Sequence, residues 1–303
     1  MTEKLMNAAL QSYEKNASEN DIARLEFFRG IWKIQQDHSE LIAAKCSYEA
    51  PCAEEAEKMY WDFEPFFSRF AVTIEKESFA QVLQDIAKQL CDHAGLDTLA
   101  QKALDEYNWN IFADKVDLKL AGRDPSAFIN DCLEHLDDLN VPTDLPATIF
   151  AMVPMLALRS FLQKPARMIM DSLNLSEGQM SKEKPQYCPA CGSEAALSIV
   201  GEGSTQQGGG RTLFCTSCGT EWAFDRIRCA RCGSKDQTKL NYFNIEGDSA
   251  HRLQNCQNCG DYLRVVYQQE SKNPICPDVE DVVMARLDMV ANDDRFKTQM
   301  DAS

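Results

Sequence analysis

Along the first 175 residues apolar side chains recur at three- and four-residue steps. Phe79, Val82, Leu83, Ile86 and Leu90 keep that spacing up to Gly95, behind a Ser78-x-x-Gln81 run with the form of a capping box, and they predict a helix with one buried face. Ser18-x-x-Asp21 stands ahead of Ile22, Leu25, Phe28 and Trp32, and Asp124-Pro125 offers an N-cap and first-turn pair before Phe128, Ile129, Cys132, Leu133 and Leu136. The most apolar stretch, Ala147–Gln163, contains Pro154 and Arg159 and falls short of the roughly 20 apolar residues that a spanning helix needs. It predicts a buried helix and no membrane insertion. Residues 1–177 are therefore expected to form an all-α domain.

The period changes at residues 178–186, a polar, turn-forming run that reads as a linker. From Tyr187 to Tyr267 the helical spacing is lost. Short β-prone runs, LSIV, TLFC, NYFNI and YLRVVY, are separated by turn formers that include Gly208-Gly209-Gly210, and they predict short antiparallel hairpins. Beyond Pro277 the helical spacing returns, with Val279, Val282, Val283, Ala285, Leu287 and Val290 available for burial. A lone helix of that length is marginal in water, so it is expected to dock back onto the first domain.

Chemistry enters with the cysteines. Eight of the 13 fall in four Cys-x-x-Cys pairs, Cys188/Cys191, Cys215/Cys218, Cys229/Cys232 and Cys256/Cys259, each followed by glycine. Cys188 to Cys229 and Cys215 to Cys256 are both 41 positions, and Gly192-Ser193, Arg211 and Gly219 recur at the same offset as Gly233-Ser234, Arg252 and Gly260. One two-turn unit has been duplicated. Two cysteines separated by two residues form a tight turn that aims both sulfurs at one ion, and two turns complete a tetrahedral thiolate site. The duplication favours Cys188, Cys191, Cys215 and Cys218 around one ion and Cys229, Cys232, Cys256 and Cys259 around another, with crossed or nested pairings still open. Such sites accept zinc, the more frequent occupant, or a single iron. With all four positions filled by protein there is no place for the activated water of a hydrolytic metal.

The net charge of −16 is concentrated in the first 180 residues, where 30 acidic side chains face 17 basic ones, whereas residues 181–270 carry ten of each. So negative a field disfavours nucleic acid and anionic membrane surfaces as partners. The first 20 residues lack the apolar core of a secretory signal and a twin-arginine pair, which predicts a cytoplasmic protein with reduced thiols and argues against disulfides. Arg226, Arg228, Arg231 and Lys235 lie between the two cysteine sets and read most simply as compensation for thiolate charge. Cys46, Cys52, Cys91, Cys132 and Cys276 lie outside the repeat, and His38, His93, His135 and His251 show no metal or catalytic spacing. No catalytic residue is expected.

The segments YCPACGS, GGGRTLFCTSCGTEW, RIRCARCGS, LQNCQNCGDYLRVVYQQ and the acidic PDVEDVVMARLD resemble the formate dehydrogenase accessory proteins of the FdhE type. The resemblance is dense over about the last 120 residues. It implies a multi-domain fold of α plus small β: a helical domain, two tandem rubredoxin-like or zinc-ribbon-like four-cysteine modules at 187–227 and 228–272, and a C-terminal helix and tail at 273–303. It also implies a cytoplasmic, non-enzymatic maturation factor. The partner implied is the molybdenum- or tungsten-containing catalytic subunit of formate dehydrogenase, the metal is iron, and the metal ligands are the eight paired cysteines. Glu221-Trp222 and Tyr262-Leu263 become structural or contact residues. Self-association is left open. The competing readings are a one-electron rubredoxin-like redox protein and a zinc-ribbon nucleic-acid adaptor.

Overall fold

The structure, a computed structural model, describes residues 3–15, 17–175, 182–201, 210–245 and 247–291. Part of the expected linker (178–181), Gly208 and Gly209, and the tail from 292 onward lie outside the described residues, as does the side chain of Val290. The helical part runs α1 (Glu3–Glu14), α2 (Glu19–Lys45), α3 (Ala53–Trp61), α4 (Phe66–Arg69), α5 (Lys76–His93), α6 (Thr98–Glu106), α7 (Trp109–Lys115), α8 (Leu118–Arg123), α9 (Pro125–Glu134) and α10 (Ala147–Ser172). The strands follow as β1 (Leu197–Val200), β2 (Arg211–Phe214), β3 (Glu221–Phe224), β4 (Leu240–Ile245), β5 (Asp248–Cys256) and β6 (Tyr262–Tyr267), and α11 (Pro277–Ala291) comes last.

Local chemistry sets most helix starts. The Ser18 hydroxyl accepts the Asp21 amide ahead of α2, and the Asp124 carboxylate accepts the Ala127 amide with Pro125 in the first turn of α9. The capping box at Ser78 is not formed. Helix α5 begins at Lys76, two residues earlier, so Ser78 lies inside its first turn and donates to the Glu75 carboxylate instead. Within the core α5 buries Phe79, Val82, Leu83, Ile86 and Leu90 between α2 and α10, while Ile22 of α2 and Leu133 of α9 face outward. Phe79, Phe112, Phe128 and Phe161 form an aromatic knot with ring centres 5.9–6.4 Å apart, which fixes the crossing of α5, α7, α9 and α10.

Six strands make one mixed sheet in the order β3-β2-β1-β6-β5-β4. All neighbours are antiparallel except β1 and β6, which pair in parallel from Leu197↔Arg264 to Val200↔Tyr267. The duplication explains this order. With the 41-residue offset, β4, β5 and β6 correspond to β1, β2 and β3, and the second triplet is laid beside the first in the same sense. Each unit alone would leave an edge open on either side. Joined, they cover one edge of each.

Strands β1, β2, β4 and β6 match the β-prone runs, whereas β3 and β5 carry no such signal in sequence. Strand β5 is polar along its length, yet it buries His251, Gln254 and Asn255. The Gln254 side chain takes a bond from Arg211 (2.8 Å) and gives one to the Tyr242 hydroxyl (2.6 Å). Helix α11 is wedged between the two halves of the molecule. Cys276, Val279 and Val282 pack against Ala9, Leu10, Leu25 and Trp32 of α1 and α2, and Met284 and Leu287 cover Leu197, Phe214, Leu253 and Val266 of the sheet. No helix among the described residues is long and apolar enough to cross a membrane.

Candidate metal centre

Four turns of one design carry the paired cysteines. In each, the amide of the first cysteine donates to the carbonyl five residues on, and the glycine amide donates back to the carbonyl of that cysteine. The pairs are Cys188/Ser193 with Gly192, Cys215/Thr220 with Gly219, Cys229/Ser234 with Gly233, and Cys256/Asp261 with Gly260, all at 2.8–3.0 Å. The closure needs a left-handed residue after the second cysteine, and the four glycines supply it with φ of 74–80°. Glycine is therefore part of the turn.

The turns meet in two groups of four sulfurs. Cys188, Cys191, Cys215 and Cys218 form one, Cys229, Cys232, Cys256 and Cys259 the other, and within each group every sulfur lies within 4.8 Å of the rest. The grouping follows the duplicated units. Close separations are 3.5 Å (Cys188–Cys218) and 3.6 Å (Cys191–Cys215) in the first, and 3.9 Å (Cys229–Cys259) and 3.7 Å (Cys232–Cys256) in the second. These are far from the S–S bond of about 2.05 Å. They fit a tetrahedron with metal–sulfur arms of about 2.3 Å, whose edge is about 3.8 Å. Each group could hold one thiophilic ion, and the donor set does not separate iron from zinc.

The surroundings differ. The first group is sunk in the core that joins sheet to helices, where Cys188, Cys191, Cys215 and Cys218 stack with Ala190, Trp222 and the helical side chains. The amides of Phe66 and Phe67, at the start of α4, donate to the carbonyls of Pro189 and Ala190 (2.8 and 3.0 Å), so the first turn docks on a helix end. The Trp222 indole donates to Pro185 (2.9 Å), and Ser126 meets Ser193 (3.0 Å). Over the opposite turn lies Arg159 of α10. It is bound in a two-pronged ion pair to Asp278 of α11 (Nη2–Oδ2 2.9 Å) and reaches the Thr216 carbonyl. Burial opposes its charge, but Asp278 and the sulfurs of Cys218 and Cys215 outweigh burial and hold the guanidinium protonated. A cation here would offset the formal −2 of a divalent ion held by four thiolates.

Around the second group the basic residues are paired with carboxylates: Arg228 with Glu183 (2.7 Å) and Asp225, Lys235 with Glu183 (2.7 Å), and Arg231 with Glu194 (3.0 Å). Cys229 and Cys256 are buried while Cys232 and Cys259 are exposed. Of the cysteines outside the repeat, Cys46 and Cys52 are exposed and the other three are buried. Burial pushes the Cys132 thiol up to about 12 and the Cys276 thiol up to about 11. Tyr262 bonds to Asp288 of α11 (3.1 Å), and Leu263 is buried.

One polar cluster carried no sequence signal. His251 of β5 sits between Asp248 (Nδ1–Oδ2 2.9 Å) and Glu280 of α11 (Nε2–Oε2 2.8 Å), and the Tyr13 hydroxyl of α1 donates to the Glu280 carboxylate (2.8 and 2.9 Å). Burial favours the neutral ring, but the two carboxylates prevail and raise His251 to about 9. The imidazolium fastens the sheet, α1 and α11 at one point.

Comparison with known proteins places these turns. The family model described as "FdhE, central domain" matches residues 187–226. A protein FdhE homolog of Cronobacter sakazakii is 38% identical over 111 residues, 35% of this chain and 34% of that protein. Protein FdhE of Escherichia coli O1:K1 / APEC is 39% identical over 89 residues, 29% of this chain and 28% of that protein. The aligned segments thus span about a third or less of the length of these curated relatives. The crystal structure of the FdhE protein from Pseudomonas aeruginosa matches over 96% of this chain and 90% of that one, with a TM-score of 0.53 and 20% identity, which shows a shared fold.

Proposed function

Because the chain belongs to the FdhE family, we propose that it is an accessory factor that binds the catalytic subunit of a formate dehydrogenase and supports its assembly or activation, without turnover of its own. The observation that carries this reading is the duplicated, closed four-thiolate geometry. In it Cys188, Cys191, Cys215 and Cys218 ligate one metal ion, and Cys229, Cys232, Cys256 and Cys259 a second. Each ion ties two turns together, and such binding couples to folding. All four positions at each ion belong to the protein, so the ion offers no site to a substrate.

In this reading residues 1–177 are a helical domain, 187–227 and 228–272 the two metal modules, 178–186 their connection to the helices, and 273–303 the closing helix and tail. The place of action is the cytoplasm. The test is anaerobic affinity purification of the tagged chain from its own host under formate-dehydrogenase-inducing conditions, beside a Cys229→Ser variant. Recovery of the catalytic subunit with the wild-type chain and its loss with the variant supports the proposal. Its reproducible absence from the wild-type sample overturns it.

A further inference from the structure

The two sulfur groups come from one duplicated design and yet meet solvent differently. In the first, exposures are 0% for Cys188 and Cys215 and 1% for Cys191 and Cys218. Its turns are covered from both sides. Pro65 stands 3.2 Å from where a side chain on Gly192 would begin, Arg159 stands 3.1 Å from the same point on Gly219, and α4 is hydrogen-bonded to the peptide between the first two cysteines. A pocket of about 380 Å³ borders the Cys218 turn, but it contains Arg159, Asp278 and Glu221 and leaves Cys218 itself buried. An incoming ligand for an ion there has to separate the sheet from α4 and α10.

The second group is half open. Cys229 and Cys256 are buried, and Gln186 and Arg228 stand 2.8 and 3.5 Å from the side-chain position on Gly233, whereas Cys232 and Cys259 are exposed and the run Gln257–Gly260 is exposed throughout. Nothing lies within 4 Å of the side-chain position on Gly260. The side-chain partner on this outer face is the Asn258 amide, which donates to the Cys232 sulfur at 3.5 Å. Here an external donor can approach the ion as Cys232 or Cys259 swings away, with the inner pair still holding it.

We infer that the two metal sites are inequivalent: the Cys188/Cys191/Cys215/Cys218 site is a structural staple, and the Cys229/Cys232/Cys256/Cys259 site is an exchangeable one that gives up its ion to an external thiophilic-metal acceptor. The inference rests on the metal-binding reading proposed above. In the exchange the ion passes with its charge to the acceptor's donor atoms, and each freed thiolate takes a proton from solvent, so no oxidant or reductant is needed. Release from the staple requires local opening of packed core, and release from the exchangeable site does not.

The experiment uses the full-length wild-type chain loaded with two equivalents of Zn²⁺ and mixed with excess 4-(2-pyridylazo)resorcinol. Zinc release is followed by absorbance, and samples withdrawn along the course are alkylated with N-ethylmaleimide and mapped by peptide mass spectrometry. Two phases of one equivalent each are expected, separated in rate by about tenfold or more. Cys229, Cys232, Cys256 and Cys259 become labelled in the fast phase and the first set in the slow one, while the exposed Cys46 and Cys52 label at once. A single phase with all eight cysteines labelled together, or the first set labelled before the second, overturns the inference and leaves metal binding intact. A chain that takes up no zinc overturns both.

Discussion

The four glycines behind the cysteine pairs share one backbone conformation but not one environment, and that separates two costs. Gly260 has φ of 74° and open space around it, so Gly260→Ala should lose only the left-handed penalty of about 1–2 kcal/mol. Gly219 has the same φ with Arg159 pressed over it, so Gly219→Ala should cost more, as a larger drop in urea midpoint. Arg159→Met leaves Asp278 buried without its partner and should destabilise by about 3–5 kcal/mol. Adding Asp278→Leu should recover much of the loss; no recovery in the double variant would remove the ion pair as the cause. The cysteines were legible because each turn is local, and a 41-residue repeat says which turns belong together. Arg159 was not. In sequence it only interrupts an apolar stretch, because its partner lies 119 positions away.

At the level of elements, α5 and α9 were readable from period, and α10 from its apolar content, since it is buried on every side from Ala157 to Leu162. Strand β5 was not, because alternation fails where polar side chains are buried with partners of their own, as Gln254 is with Arg211 and Tyr242, and β3, which does alternate, is only four residues long. The parallel β1–β6 pair is equally invisible to local pattern, as it joins the last strand of the second unit to the first strand of the first. The attachment of α11 through His251 carries a pH signature. A histidine raised from 6.5 to about 9 contributes stability that is complete below its unfolded pKa and is lost as pH rises through 9. Asp248, held below the usual carboxylate range against the desolvation that would raise it, works in the other direction and is lost in acid. The melting temperature should therefore fall between about pH 6.5 and 9, by a stability loss of at most about 3 kcal/mol. His251→Gln should be less stable near neutrality and should flatten that slope; an unchanged slope in the variant would exclude His251 as its source.

For the whole molecule, the sheet, the helical bundle and α11 are interlocked rather than strung along the chain, because the first cysteine group lies in the same core as the aromatic knot. The composition indicated a helical part followed by a thiolate part, and the duplication indicated two alike units. Neither could indicate that one unit would be packed into the helices while the other kept an open face, since that depends on contacts such as Phe66 with Pro189 across more than a hundred residues. The consequence is that loss of the first site should loosen the whole assembly, whereas loss of the second should leave the helical part protease-resistant. Limited proteolysis of Cys188→Ser beside Cys229→Ser checks this: comparable resistance of the helical part in the two would contradict it. The most direct test of the account is the metal content of chain purified without oxygen, measured by plasma mass spectrometry on wild type, Cys229→Ser and Cys229→Ser/Cys188→Ser. Two, one and no ions per chain are the predicted values, and an unchanged content across the three would contradict it.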